Sequence, residues 1–295
     1  MNAKPGTVAK VVTYLIVGLV AVVSMALIAN ALSSDQKKSA PPSVPEENKA
    51  MVDTFDGTKI DESKWVVYDG SATNGRGTWS PSQVRVENGQ LLLIADGSKM
   101  GGLCMCGPKV HDIVYGDVSF TLSIEKGKDV YLAGLMWPQE PEGRRTPWPV
   151  EGEIDIIETN DPNRQSANYN IWWGSVPDDG TQLLDNTDLM RNKYPQFSNG
   201  TKADFTQPQE VRLEWRPDHI SIFHAGNLVF RTDDPEILNV MVHPMHLALQ
   251  LDMPGGVTKR TGTVVARIDN VSVQPVVGVT KLTKDGPPIS APTGS

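Results

Sequence analysis

The chain has 295 residues, 35 acidic against 27 basic, and a formal net charge of −8 at pH 7. No basic stripe interrupts the acidic excess, which excludes a nucleic-acid partner, because phosphate binding needs clustered Lys and Arg. Once the N-terminal segment is set aside, roughly 230 residues remain, enough for one large all-β domain or two small ones.

Lys4 and Lys10 precede the uncharged run from Val11 to Leu32. About 20 apolar residues cross a bilayer, so residues 1–32 are expected to be a transmembrane anchor or a signal peptide. The run is long for a signal peptide, which favours an uncleaved anchor. Ala29-Asn30-Ala31 would be the site if cleavage occurs. Either way the remainder is expected outside the cytoplasm. Residues 33–51 are polar and Pro-rich and read as a flexible linker.

From residue 52 to 275 the pattern is all-β: short apolar or alternating runs separated by Gly, Pro, Asn and Asp clusters. Gln83 to Ala95 reads as a hairpin turning at Asn88-Gly89. Cys104-Met105-Cys106 follows. Export permits a disulfide there, at the limit of reach for two residues on one strand, and two reduced thiols are the alternative. Two cysteines alone do not make a zinc site, and His111 is at no usual ligand spacing. Asp117 to Glu125 is a further strand. Val211 to Arg231 is a three-strand meander, and Pro244 to Asp252 and Val264 to Pro275 alternate cleanly. Helical periodicity is nearly absent. The expected architecture is a β-sandwich of two antiparallel sheets, preceded by the apolar N-terminal helix and followed by a disordered tail, 276–295.

The segment Glu151 to Asp161, EGEIDIIETND, is the chemical centre of this reading. On a strand Glu153 and Asp155 share one face and Ile154 and Ile156 the other. Glu158 has the wrong parity to join the acidic face. One β-bulge near Ile156-Ile157 corrects the phase. Three crowded carboxylates push one another's pKa values apart. One ionised and one protonated carboxyl side by side is what glycoside hydrolysis requires. The plain alternative is a solvated strand with acidic residues on its wet face. Trp137-Pro138, Trp148-Pro149 and Trp172-Trp173 surround the segment. Indole rings stack on sugar C–H faces in half-wet clefts, although on a strand only one of Trp172 and Trp173 can face the cleft. Trp65 and Trp215 are read as core.

The stretch WPVEGEIDIIE, Trp148 to Glu158, resembles the signature of glycoside hydrolase family 16, the laminarinase and lichenase group, in which E-x-D-x-x-E lies on a bulged strand. Asp53 to Trp65 is similar to the family's opening strand, LEWRPDHISIFHAGNLV to its late hairpin and ARIDNVSV to its closing strand. The resemblance implies a concanavalin A-like jelly roll with a concave substrate cleft. It implies Glu153 as nucleophile, Glu158 as general acid/base and Asp155 as their hydrogen-bonding partner. The implied activity is endo-acting retaining hydrolysis of a polysaccharide, with β-1,3- or β-1,3-1,4-glucan foremost. Transglycosylation and carbohydrate binding without catalysis are the alternatives on the same scaffold. A pure lectin gains nothing from three mutually repelling carboxylates. Departures lie at Trp172-Trp173, where relatives carry histidine and an aromatic, at His224-Ala225-Gly226 and in the long polar loop 174–206.

The remaining candidates are substrate contacts. His246 and Gln250 lie on one face of their strand, with Met245, Leu247, Leu249 and Leu251 on the core face. Arg76, in Asn74-Gly75-Arg76-Gly77, sits on a loop within reach of the cleft. Some relatives hold a structural calcium on the convex side, and Asp269 loosely matches their aspartate, so a structural Ca2+ is an expectation and no other cofactor is required. The expected partners are a polysaccharide and, through the N-terminal segment only, the membrane; the folded domain is expected to be monomeric.

Overall fold

The computed structural model describes residues 50–72, 76–106, 112–139, 149–173 and 200–276. The apolar N-terminal run, most of the linker, Trp148, most of the 174–206 loop and the tail past 276 lie outside these residues. Among the described residues no helix is long and apolar enough to cross a membrane.

The strands follow in chain order. The first seven are β1 (Met51–Asp53), β2 (Val66–Val67), β3 (Gly70–Ser71), β4 (Thr78–Trp79), β5 (Val84–Glu87), β6 (Gln90–Asp96) and β7 (Lys99–Cys104). Next come β8 (Gly116–Ile124), β9 (Tyr131–Pro138), β10 (Glu153–Thr159), β11 (Ser166–Trp172) and β12 (Thr201–Lys202). The last are β13 (Gln209–Trp215), β14 (Ile220–His224), β15 (Asn227–Thr232), β16 (Met245–Asp252) and β17 (Thr263–Pro275). One helical turn, Pro235–Leu238, is capped by the Asp234 side chain.

Two sheets result. The front sheet runs β2-β7-β16-β9-β10-β11-β12. The back sheet runs β5-β6-β17-β8-β13-β14-β15, with β1 added along the end of β17. The tight β6–β7 hairpin, where Asp96 faces Lys99, joins one sheet to the other. Pairing is antiparallel throughout, except that β4 runs parallel to β7.

Local sequence explains these elements. Asn88 and Gly89 both take positive φ, 54° and 73°, as a two-residue hairpin turn requires. Ala225 and Gly226 do the same between β14 and β15. In β17 the alternation is not clean as expected. Asn270 takes φ 53°, and a register shift between Asp269 and Ser272 moves the buried set from Ile268 to Val271 and Val273. A bulge inserts one residue and restores the inward phase. Between the sheets Trp215, Phe120, Leu213, Ile154, Ile156, Ile157, Leu247 and Leu249 are fully buried. Trp65 and Trp215 belong to this core, their indole N–H groups donating to Asp53 and to the Met241 carbonyl.

Candidate active site

The outward face of the front sheet carries the candidate carboxylates. Gly152 opens it: its φ is +82°, and a Cβ there would stand 2.5 Å from the Met241 sulfur, so only glycine delivers the chain into β10 at this angle. Within β10 the register slips between Asp155 and Ile157 against β9, and between Asp155 and Glu158 against β11. The bulge therefore falls at Ile156-Ile157. Ile154, Ile156 and Ile157 are all fully buried in the core. Glu153, Asp155 and Glu158 are left on the opposite face.

Strand pairing turns these three positions into rows across the sheet. Asp155 lies beside Leu135 of β9, which faces Ala248 of β16, which faces Cys104 of β7. Glu158 lies beside Ala133, then Gln250, then Gly102. The small residues keep the second row low. At Gly102 an added Cβ would meet the Tyr68 ring at 2.7 Å. On the other side β11 offers Trp172 opposite Glu153, Asn170 opposite Asp155 and Asn168 opposite Glu158.

Burial governs the electrostatics. Asp155 is only 1 % exposed. Burial holds its carboxyl well above the usual carboxylate range, and the neighbouring Glu153 charge pushes it further. Its Oδ2 accepts a hydrogen bond from Trp172 Nε1 at 2.7 Å. Its Oδ1 is buried without a hydrogen-bond partner among the described residues, and the carboxyl group interacts with Glu153. A proton held between those two carboxyl groups satisfies both. Glu158 is pushed up to about 8, first by burial and then by the Asp155 charge, while Asn170 pulls it down by donating from Nδ2 to Oε2 at 2.5 Å.

One polar cluster beside Glu158 was not visible in the sequence. Asp252, 2 % exposed, accepts from Arg76, from Tyr131 Oη at 2.9 Å and from the Met253 amide at 2.6 Å. Arg76 also donates to Tyr131 Oη at 2.7 Å. Burial raises Asp252 and Arg76 draws it back down. Both charges reach Glu158, Asp252 raising it and Arg76 lowering it. The loop arginine is thus anchored at the cleft by a buried carboxylate.

The other sequence candidates are placed as follows. Trp137 and Trp172 stand on the carboxylate face, both half-buried. Trp173 follows the end of β11 and packs half-buried against the main core. The alternation of a strand permits only one of the pair in the cleft. Gln250 is half-buried in the Glu158 row. His246 is 6 % exposed, pairs with Trp137, and meets Asp112 Oδ1 through Nδ1 at 3.1 Å. It lines a cavity of about 350 Å³ with Tyr68, Cys104, Cys106, Asp112 and Trp137. Cys104 and Cys106 are joined as a disulfide.

Asp269 lies on the back sheet, half-buried, its Oδ1 accepting the Asn270 amide at 2.7 Å. Among the described residues it belongs to no group of three or more carboxylate, His or Cys side chains. One side-chain oxygen falls well short of the six to eight that calcium takes, so these side chains do not by themselves fit a calcium site.

No family model matches the chain, and a search of curated proteins finds no match. Solved structures do match. The laminarinase catalytic domain of Thermotoga maritima MSB8 superposes with a TM-score of 0.61 at 18 % identity, covering 77 % of this chain and 97 % of that one. The laminarinase of Rhodothermus marinus gives 0.59 at 19 % identity, covering 76 % and 96 %. SCLam, a non-specific endo-β-1,3(4)-glucanase from family GH16, gives 0.59 at 22 %, covering 79 % and 93 %. At these identities the likeness establishes a shared fold with these glucanases and no more.

Proposed function

We propose that the chain is an exported, endo-acting retaining glycoside hydrolase that cleaves internal β-linkages of a polysaccharide, with a β-1,3- or β-1,3-1,4-glucan as substrate. The observation that carries this reading is the placement of Glu153, Asp155 and Glu158 on one sheet face across a single bulge, with Asp155 and Glu158 both driven towards the protonated form. The names of the structural neighbours, endo-1,3-β-glucanase and endo-β-1,3(4)-glucanase, support the substrate class.

The roles follow from the proton inventory. Asp155 and Glu153 hold one proton between them, so the pair carries a single negative charge, through which Glu153 attacks the anomeric carbon. Glu158, raised to about 8, is largely protonated at neutral pH and gives its proton to the leaving oxygen. The same carboxylate then takes a proton from water, which displaces Glu153 from the sugar. Two inversions give net retention. Trp137 and Trp172 supply apolar platforms on either side of the carboxylates, and Gln250, His246 and Arg76 the polar contacts. Trp148 belongs to the same proposed set and lies outside the described residues.

Incubation of the full chain with laminarin, lichenan, galactan and agarose tests the reading. Early proton NMR should show shorter oligosaccharides from a β-glucan, with the β anomer formed first. An α anomer first would remove Glu153 from the nucleophile role, and longer rearranged products would make the chain a transglycosylase. The apolar run at Val11 to Leu32 supports export with the N-terminus inside and the membrane as anchor. A mature N-terminus at Leu32 would show cleavage instead.

A further inference from the structure

We propose that Cys104, Cys106 and His246 form a redox-gated binding site for a soft, four-coordinate metal ion such as Zn2+. The proposal is independent of what the carboxylates do. The two cysteines lack a third ligand in the sequence, and strand pairing supplies it. Cys104 of β7 faces Ala248 of β16, so His246, two residues earlier in an antiparallel pair, comes level with Cys106. One ligand atom from each of the three residues lies within 4.8 Å of the others.

The surroundings suit a metal. Asp112 holds Nδ1 of His246 at 3.1 Å, which places a proton on Nδ1 and leaves Nε2 as the ligand. A carboxylate behind an imidazole is the usual support for a metal-bound histidine, fixing its tautomer and raising its basicity. The second oxygen of Asp112 is buried and has no hydrogen-bond partner among the described residues, so the carboxylate serves chiefly the imidazole. The adjoining cavity of about 350 Å³ leaves space for a water as the fourth ligand. Two thiolates and one imidazole with an open position match the ligand set of open zinc sites.

The cysteines are disulfide-bonded in this structure, so the site exists only after reduction. Cys106 is exposed and Cys104 is buried, which makes the Cys106 sulfur the point of attack. A thiolate of an external dithiol bonds to that sulfur and expels the Cys104 thiolate. The second thiol of the reductant then closes its own disulfide and releases Cys106. Two electrons pass from the dithiol to the pair, and each cysteine gives up its proton when the metal binds.

Titration of the full chain with Co2+ tests this, before and after reduction by a dithiol and its anaerobic removal. One Co2+ per reduced chain is expected, with thiolate-to-cobalt charge-transfer absorption and the intense visible bands of a tetrahedral ion, both displaced by Zn2+. The oxidised chain should show neither. Cys106→Ser and His246→Gln should lose the charge-transfer signal or the tetrahedral bands, and Asp112→Asn should weaken binding about 10–100-fold. Far-UV circular dichroism of the reduced chain should be unchanged. Absence of cobalt binding after reduction, an octahedral spectrum, wild-type binding by His246→Gln, or loss of the β signal on reduction would each overturn the proposal.

Discussion

Two groups of carboxylates on this molecule have nearly the same sequence character and opposite surroundings. On the back sheet Asp117 of β8 and Glu214 of β13 face each other directly across the ladder. Arg216 reaches Asp117 at 2.8 Å and Glu214 at 3.7 Å, and Arg212 reaches them at 3.4 and 3.5 Å. Every negative charge there has a positive one beside it, and the side chains are about one-third exposed. On the front sheet Glu153, Asp155 and Glu158 share one face, Glu153 and Asp155 buried and Glu158 half-buried, and burial raises both Asp155 and Glu158. Arg76, the cation whose charge reaches Glu158, is bound to Asp252. A fold selected for stability alone would arrange all its carboxylates as the back sheet does. The front arrangement costs stability and retains protons at neutral pH, which is the property a proton donor needs.

The largest expected effect tests whether the front group is chemical at all. Glu153→Gln keeps the shape of the side chain and removes the attacking charge. Turnover of a β-glucan should fall on the order of 10⁴-fold or more, with oligosaccharide binding by calorimetry within a few-fold of wild type. A variant retaining a tenth of wild-type turnover would make the front carboxylates decoration.

The second prediction measures the stability cost. The Glu158 carboxyl is raised from 4.5 to about 8 in the folded chain. Between those pH values the unfolded chain has released this proton and the folded chain has kept it. Stability therefore falls as pH rises through the window and levels off above about 8. Glu158→Gln carries no such penalty. Its melting temperature should match wild type near pH 4.5 and exceed it above pH 8, by roughly 2–4 kcal/mol in unfolding free energy. The same variant should lose about 10²–10⁴-fold in turnover of an unactivated substrate. A melting-temperature gap independent of pH would show that Glu158 titrates normally.

The comparison also shows what a sequence discloses. Parity along one strand is legible: Glu153, Asp155 and Glu158 share a face only if a bulge intervenes, and the bulge lies at Ile156-Ile157. The alternation of β16 likewise separated Leu247 and Leu249 from His246 and Gln250. What parity does not disclose is which strand lies beside which. Asn170, the donor to Glu158, and Tyr131 and Asp252, which anchor Arg76, become partners only through the β9–β10–β11 and β9–β16 pairings. Asp112 and His246 met for the same reason. A single positive φ was equally hidden: Asn270 reverses the phase of β17 although its neighbours alternate.

Asn170 gives a finer test. Its amide stabilises the ionised form of Glu158 and so lowers that group. Asn170→Ala should move the alkaline limb of the pH–rate profile upward by about one pH unit, the equivalent of one hydrogen bond to a charged group. A limb that stays in place, or moves down, would mean that another group sets it.

The smallest effect belongs to the back sheet. Asp117→Asn removes one charge from a network in which each carboxylate already has cationic neighbours and solvent access. Exposed ion pairs of this kind contribute about 0.2–1 kcal/mol, screened by salt. The loss of attraction to Arg212 and Arg216 is partly offset by relief of the direct repulsion from Glu214 across the ladder. Unfolding free energy should change by less than about 1 kcal/mol, the change should shrink in 1 M salt, and turnover should be untouched. A large loss of stability would mean that the back network acts as a buried one, and the contrast between the two carboxylate groups would then rest on chemistry without the difference in energetics argued from burial.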